Sequence, residues 1–278
     1  MSKLTDQTYL KNQQYRTAAN LEARIALHRK FGTNPYDWQL WIYDRLELEP
    51  GMTVLEMGCG PASLWRQNLD RLPDSVRITL GDLSPGMAGQ ARMNLASPAR
   101  TGLASPPGFS YLVGDAQRLP FPEAHFDRVI ANHMLYHVPD IQAAAREFKR
   151  CLKPGLPLFA ATNGEAHMAE LHQMIRDFEP EHSLPLTEAR RFTLENAPEQ
   201  LEKVFATVEI IPFDSNLKVT DPAALVAYVA SMGVGMIDLV DPSRPERLQE
   251  FGRFVRARFQ PKGYLWITKS QGLVIAHD

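Results

Sequence analysis

The stretch Val54-Leu55-Glu56-Met57-Gly58-Cys59-Gly60-Pro61-Ala62-Ser63-Leu64-Trp65 decides the reading of the fold. A short apolar run ends in an acid, passes through Gly-x-Gly and enters a helical pattern. That is a strand, a tight turn and a helix start, a geometry that brings bare backbone and the first helical N–H groups close to a ligand. Alone, the segment also fits an ordinary strand-to-helix turn. Glu56 narrows the ligand: a pyrophosphate would be repelled, whereas a ligand carrying an ammonium group would be held.

Three further segments repeat the pattern. Val76–Leu80 leads to Gly81-Asp82-Leu83-Ser84-Pro85-Gly86-Met87, a buried strand ending in an acid, with Ser84 as helix cap and Pro85 as first helical residue. Asp82 lies 22 residues past Gly60, the spacing that brings a carboxylate to ribose hydroxyls in a nucleotide-binding βαβ unit. A third strand, Phe109–Val113, ends in Gly114-Asp115-Ala116. There the carboxylate can accept from an adenine amine and the next backbone N–H can bind a ring nitrogen. A fourth, Phe126–Asn132, runs into His133-Met134-Leu135-Tyr136-His137, and Leu152-Lys153-Pro154-Gly155 stops a helix before a fifth strand. Ligands of open α/β sheets bind at the carboxyl edge that these polar residues mark.

In this set of motifs, over residues 50–163, the chain closely resembles the class I methyltransferases that use S-adenosylmethionine (SAM). Ala62 stands where many members have glycine, a tolerated variant. The resemblance implies an α/β fold with a Rossmann-like, seven-stranded, mostly parallel sheet. The implied strand order is 3-2-1-4-5-7-6, with the last strand antiparallel, helices on both faces and a helical cap. It implies SAM as cofactor, held by Glu56, Gly58, Cys59, Gly60, Asp82, Leu83, Met87, Asp115, Ala116, Asn132 and His133. It also implies an N-terminal lid, for which Tyr15 is the aromatic candidate because a ring face attracts a sulfonium.

Residues 1–48 read as a helical extension, 49–163 as the cofactor-binding core, 164–200 as a cap insertion, and 201–278 as the rest of the core with inserted helices. Residues 95–108 read as a loop. The segment Gly263–Lys269 and the run Gly272–Ala276 read as two strands paired with each other. Helices are expected over 221–232 and 244–259, opened by Asp221-Pro222 and Asp241-Pro242.

Because the cofactor supplies the activation, the protein must place a nucleophile and, where that nucleophile arrives protonated, a base. His133 and His137 are the catalytic candidates; at i and i+4 they would share a face if the segment is helical. They could also serve only as backbone and packing. As a metal pair they lack a third ligand, and no metal is expected. Trp38 and Trp41 read as core; Arg24 and His28 share a helical face that is either solvated or meets an anionic substrate or the SAM carboxylate. Tyr9 and Tyr136 are further rings that could face the sulfonium; Glu165, His167 and His172 are polar groups near the expected acceptor entry, and Tyr228 and Met232 lie on another helix that could line the pocket.

The 278 residues, 44% apolar, suit one large domain with an insertion or two modest ones. A net charge of −2 announces no basic face, so nucleic acid is not expected as partner. No run of 18 apolar residues and no signal-peptide core appear, so a cytoplasmic protein without membrane contact is expected. Two cysteines suggest no disulfide framework. The expected partner is a small-molecule methyl acceptor, for a monomer or a homodimer. The alternatives are a methyltransferase acting on protein or RNA, and a SAM-binding protein without turnover.

Overall fold

The computed structural model describes residues 5–16, 19–96, 108–180, 190–232, 243–259 and 262–278. Most of the loop expected over 95–108, the cap residues 181–186 and the helix start at Asp241-Pro242 lie outside them.

In chain order the elements are helix α1 (Gln7–Tyr9) with a π turn (Leu10–Gln14), α2 (Ala19–Phe31), α3 (Trp38–Leu46), β1 (Thr53–Met57), α4 (Ser63–Asn68), β2 (Arg77–Asp82), α5 (Pro85–Leu95), β3 (Gly108–Val113), β4 (Arg128–Ile130), α6 (Ile141–Cys151) and β5 (Leu158–Asn163). Then follow α7 (Ala169–Phe178), α8 (Ala197–Leu201), β6 (Thr207–Pro212), β7 (Asn216–Val219), α9 (Pro222–Ala230), α10 (Pro245–Phe259), β8 (Leu265–Thr268) and β9 (Gln271–His277). The helix starts follow local chemistry. Asp37 accepts from the N–H of Gln39, Ser84 from Met87 and Asp140 from Ala143, each fixing the first turn of α3, α5 and α6.

Seven strands form one sheet in the order β3-β2-β1-β4-β5-β9-β6. The pairs from β3 to β5 are parallel, and β9 runs antiparallel to both β5 and β6. This is the expected class I arrangement, with β9 as its antiparallel strand. Central β1 and β5 are buried almost throughout, whereas the edge strands β3 and β6 are largely open, as position in the sheet requires. Helices cover both faces. Phe148 of α6 and Leu201 of α8 belong to the core on one side, and Ile42 of α3, Trp65 of α4 and Ala91 of α5 to the core on the other.

The expected pairing of 263–269 with 272–276 is corrected. β8 pairs with β7, from Asn216↔Thr268 to Val219↔Leu265, in a separate two-stranded sheet. Both hydrogen-bonding edges of β9 are taken by β5 and β6, so β8 has no edge to join there. Lys269 and Ser270 carry the chain from the small sheet into the large one. The small sheet contributes to a third apolar cluster with α2, α7, α9 and α10, through Leu27, Leu171, Leu217, Leu225, Phe251 and Ile267. No helix among the described residues is long and apolar enough to cross a membrane.

β1 pairs with β2 on one side and β4 on the other, so the chain reverses direction of travel across the sheet at the end of β1. A crevice opens at such a switch point. Phe148→Ala is expected to lower the unfolding free energy by about 3–5 kcal/mol, because it empties a fully buried site. Met93→Ala, on exposed α5 surface, should stay within about 0.5 kcal/mol of the parent. Urea denaturation of the two variants checks both.

Candidate active site

The turn after β1 needs its glycines. Gly58 and Gly60 have φ +73° and +54°, and a Cβ on Gly58 would lie 2.6 Å from the Cβ of Met134. Asp82, at the tip of β2, holds the turn: one carboxylate oxygen accepts from the Gly60 N–H (3.0 Å) and the other from the Ser84 N–H (2.8 Å). Burial pushes the Asp82 carboxyl up, and the N–H donors of Ser84, Gly60 and Leu83 oppose this.

Glu56 lies at the end of β1, in register with Leu80 on one side and Ile130 on the other. It is 3% exposed. Its carboxylate accepts from the Trp65 indole (2.6 Å) and the Asn132 amide (3.2 Å). Burial pushes it up to about 7, against those hydrogen bonds and with the help of the Asp82 charge.

Two cavities meet at this edge. The first, about 180 Å³, is lined by Tyr15, the Gly58–Gly60 turn, Asp82, Leu83, Met87, Asp115, Ala116 and the segment 132–139. The N-terminal segment closes it: Gln7 donates to Asp115 (2.7 Å), the Tyr15 hydroxyl bonds His137 Nε2 (2.9 Å), and the Ser84 hydroxyl donates to the Tyr15 carbonyl (2.8 Å). Burial pushes the Asp115 carboxyl up, but donors on Gln117 and Gln7, with the Lys11 charge, outweigh it and hold it below the usual range.

The second cavity, about 440 Å³, has room for more than the first. Its wall includes Glu56, Cys59, Trp38, Phe213, Tyr228, Arg24, His28, His167 and Lys269. Leu21, Arg24, Gly58, Gly60, Asn132, His133 and Tyr136 line both cavities and form their common wall. Asn132 Oδ1 is buried there without a hydrogen-bond partner.

Several expectations change. His133 and His137 do not share a helical face. His133 is in the left-handed region (φ +52°), its N–H bonded to the Ala161 carbonyl, and only a single 3-10 turn follows, at Leu135–His137. His133 therefore faces both cavities, beside Trp38 (5.7 Å between ring centroids), while His137 bonds Tyr15 in the first. Such backbone strain in a non-glycine residue costs about 1–3 kcal/mol and clusters at functional sites. Arg24 and His28 are not on a solvated face. The apolar side of α2, Leu27 and Phe31, packs into the third cluster, and its polar side turns into the cavities. Trp41 is core, but Trp38 also lines the second cavity.

Cys59 is buried and its thiol pushed well up, first by burial and then by Asp82 and Glu56, which makes it a poor nucleophile. Glu165 is exposed, and Tyr9, His172 and Met232 line neither cavity. Lys269, Asn163, Phe213 and Gln271 also line the second cavity, with no motif to announce them. The one available signal for Lys269 was a lone cation ending the apolar run Leu265–Thr268. Among the described residues no group of three or more His, Cys, Asp or Glu could hold a metal ion.

Burial, the largest cause in each case, holds the imidazoles neutral. His28 falls to about 3, His133 and His172 to about 4, and His167 well below 6.5; like charges from Lys269, Arg24 or Arg176 add to this. Groups lowered in the folded state contribute stability above pH 6.5 and lose it as pH falls toward 4. Each contributes up to about 1.4 kcal/mol per pH unit. Glu56, raised from 4.5 to about 7, has the opposite sign and loses stability as pH rises through that window. Urea midpoints measured without added cofactor should therefore fall between pH 7 and 5. The fall should be shallower in His28→Leu and steeper in Glu56→Gln.

Comparison with known proteins fits this geometry. A family model described as a methyltransferase domain matches residues 55–159, which run from β1 into β5. A ubiquinone/menaquinone biosynthesis C-methyltransferase from Xanthomonas oryzae is 31% identical over 141 residues, 51% of each chain. A malonyl-[acyl-carrier protein] O-methyltransferase from Serratia marcescens is 27% identical over 182 residues, 63% of this chain and 62% of that one. The chain thus spans about half to three-fifths of the length of these relatives. Among solved structures, a Haemonchus contortus phosphoethanolamine N-methyltransferase in complex with S-adenosylhomocysteine (SAH) superposes with TM-score 0.56 at 17% identity, over 100% of this chain and 60% of that one. Residues 55–159 thus match a methyltransferase domain, and the sheet built on them has the strand order expected of the class I SAM-dependent methyltransferases.

Proposed function

We propose that the protein moves a methyl group from SAM to a small-molecule acceptor, with the cofactor in the first cavity and the acceptor in the second. The observation that carries this reading is the common wall of Gly58, Asn132 and His133. It joins a cavity holding two separated carboxylates to a larger one walled by aromatic and basic groups. The relatives' names specify C-methylation in quinone biosynthesis and O-methylation of a malonyl thioester carrier. They support a metabolite acceptor and leave its nucleophilic atom open.

The residues fit the cofactor. Asp82 would accept from ribose hydroxyls; Asp115 would accept from the adenine amine, and the Ala116 N–H would meet a ring nitrogen. The orphaned Asn132 Oδ1 suits an ammonium donor, beside Glu56. Arg24, on the wall of both cavities, suits the cofactor's carboxylate. The bound cofactor supplies a methyl group on a sulfonium, open to direct attack. The protein's task is then placement and exclusion of water, effects worth on the order of 7–11 kcal/mol. An acceptor that arrives protonated must lose a proton as its new bond to carbon forms. His133, neutral at pH 7 and on the common wall, is the group we assign to take it.

Calorimetric titration should give micromolar binding of SAM and of SAH. Asp82→Ala should weaken both at least tenfold, and Gly58→Val should abolish binding by filling the turn against Met134. Wild-type affinity in both variants, or no binding by the parent, contradicts the reading. With an acceptor found by screening phenols, amines and enolisable acids, His133→Ala should lower kcat by about 10²-fold or more while SAH affinity holds. Unchanged turnover would return His133 to a packing role.

A further inference from the structure

The second cavity carries more positive charge than placing a methyl acceptor requires. Among the described residues three cations line it, Arg24, Arg29 and Lys269, against two acids, Asp37 and Glu56. Both acids are engaged within the fold. Asp37 caps α3, accepting from the N–H groups of Gln39 and Leu40, and Glu56 accepts from Trp65 and Asn132. Lys269 is not so engaged. It is 7% exposed, and its ammonium lies over the Phe213 ring (5.3 Å to the centroid). Among the described residues it forms no ion pair; Asp37 is the acid whose charge it feels. A cation taken out of water without a partner is costly, and burial accordingly pushes Lys269 down to about 8.

Two imidazoles share this wall. His28 and His167 stack at 5.5 Å, and the Nδ1 of each is buried without a hydrogen-bond partner. One unpaired cation with two unsatisfied imidazole nitrogens forms a receptor for anionic oxygen, since charge-assisted hydrogen bonds are the strong ones. The wall beside Lys269 is aromatic, with Trp38 and Phe213 packed edge to face at 5.1 Å. Lys269, His28 and His167 line only the second cavity, whereas Arg24 reaches both. The cofactor's own carboxylate therefore has Arg24, and the Lys269 group is left for something else.

We infer that the methyl acceptor is an aromatic oxyanion, a carboxylate or phosphate on a ring, with its charged head against Lys269, His28 and His167 and its ring against Trp38 and Phe213. This rests on the proposed methyl transfer and names the substrate class of that site.

The test uses the full chain saturated with SAH and three probes: benzoate, phenyl phosphate and neutral benzamide. Tryptophan fluorescence and calorimetry follow binding. One anion or both should bind at least tenfold more tightly than benzamide, and the better of the two identifies the head group. Lys269→Met should remove at least tenfold of the anion's affinity while benzamide and SAH stay within twofold, and Lys269→Arg should restore most of it. A Tm equal to or above the parent's is expected for Lys269→Met, since it removes a buried unpaired charge. Equal affinity for all three probes in the parent protein overturns the inference without reference to any variant. Loss of SAH affinity in Lys269→Met also overturns it, by giving the lysine to the cofactor. Failure of SAH to bind the parent removes the proposed function as well, so the two failures are told apart.

Discussion

A carboxyl group buried at the centre of the sheet organises this protein's working edge. Glu56 sits between Leu80 and Ile130 in register, and binds the Trp65 indole on α4 and the Asn132 amide beyond β4. Losing either donor would leave a buried carboxyl short of a partner, a penalty of about 1–3 kcal/mol or more. The same bonds fix where β1 stops, and hence where the chain must turn at Gly58. Asp82 then pins that turn from the neighbouring strand. Structure and ligand preference thus share one set of groups. Held at about 7, the Glu56 carboxyl responds to charge: a cation brought beside it favours its ionised form.

The two cavities differ in how they are closed. The first is covered by a short N-terminal segment tied down chiefly by hydrogen bonds, Gln7 to Asp115 and Tyr15 to His137 and Ser84. Single hydrogen bonds of this kind contribute about 0.5–1.5 kcal/mol each. The second lies between α2 and α9, which share the third apolar cluster, and α3 and α4, which share the second.

The core was legible in the sequence where local rules decide it. Buried strands ending in Gly or Asp, the Ser84-Pro85 cap and the Lys153-Pro154-Gly155 stop each specify their geometry within a few residues. What escaped was set by tertiary context. Periodicity leaves open whether the polar side of α2 meets solvent or a ligand; Arg24 and His28 face a cavity. His133 and His137 would share a face only in a helix; His133 is itself left-handed and only a 3-10 turn follows it. Lys269 looked like the end of a strand, and its meaning depends on β8 pairing with β7 rather than β9, a long-range choice. The cofactor side was therefore readable from motifs, while the acceptor side is assembled from α2, α3, α9 and the β8–β9 link, which no single motif spans.

The central claim is that two adjoining cavities divide cofactor from acceptor at His133. The most direct measurement is a crystal structure of the complex with SAH. The account predicts adenine beside Asp115, ribose at Asp82, and the sulfur turned toward His133 with the second cavity open beyond it. A nucleoside lying in the second cavity against Trp38 and Phe213, or a sulfur facing away from His133, would contradict it.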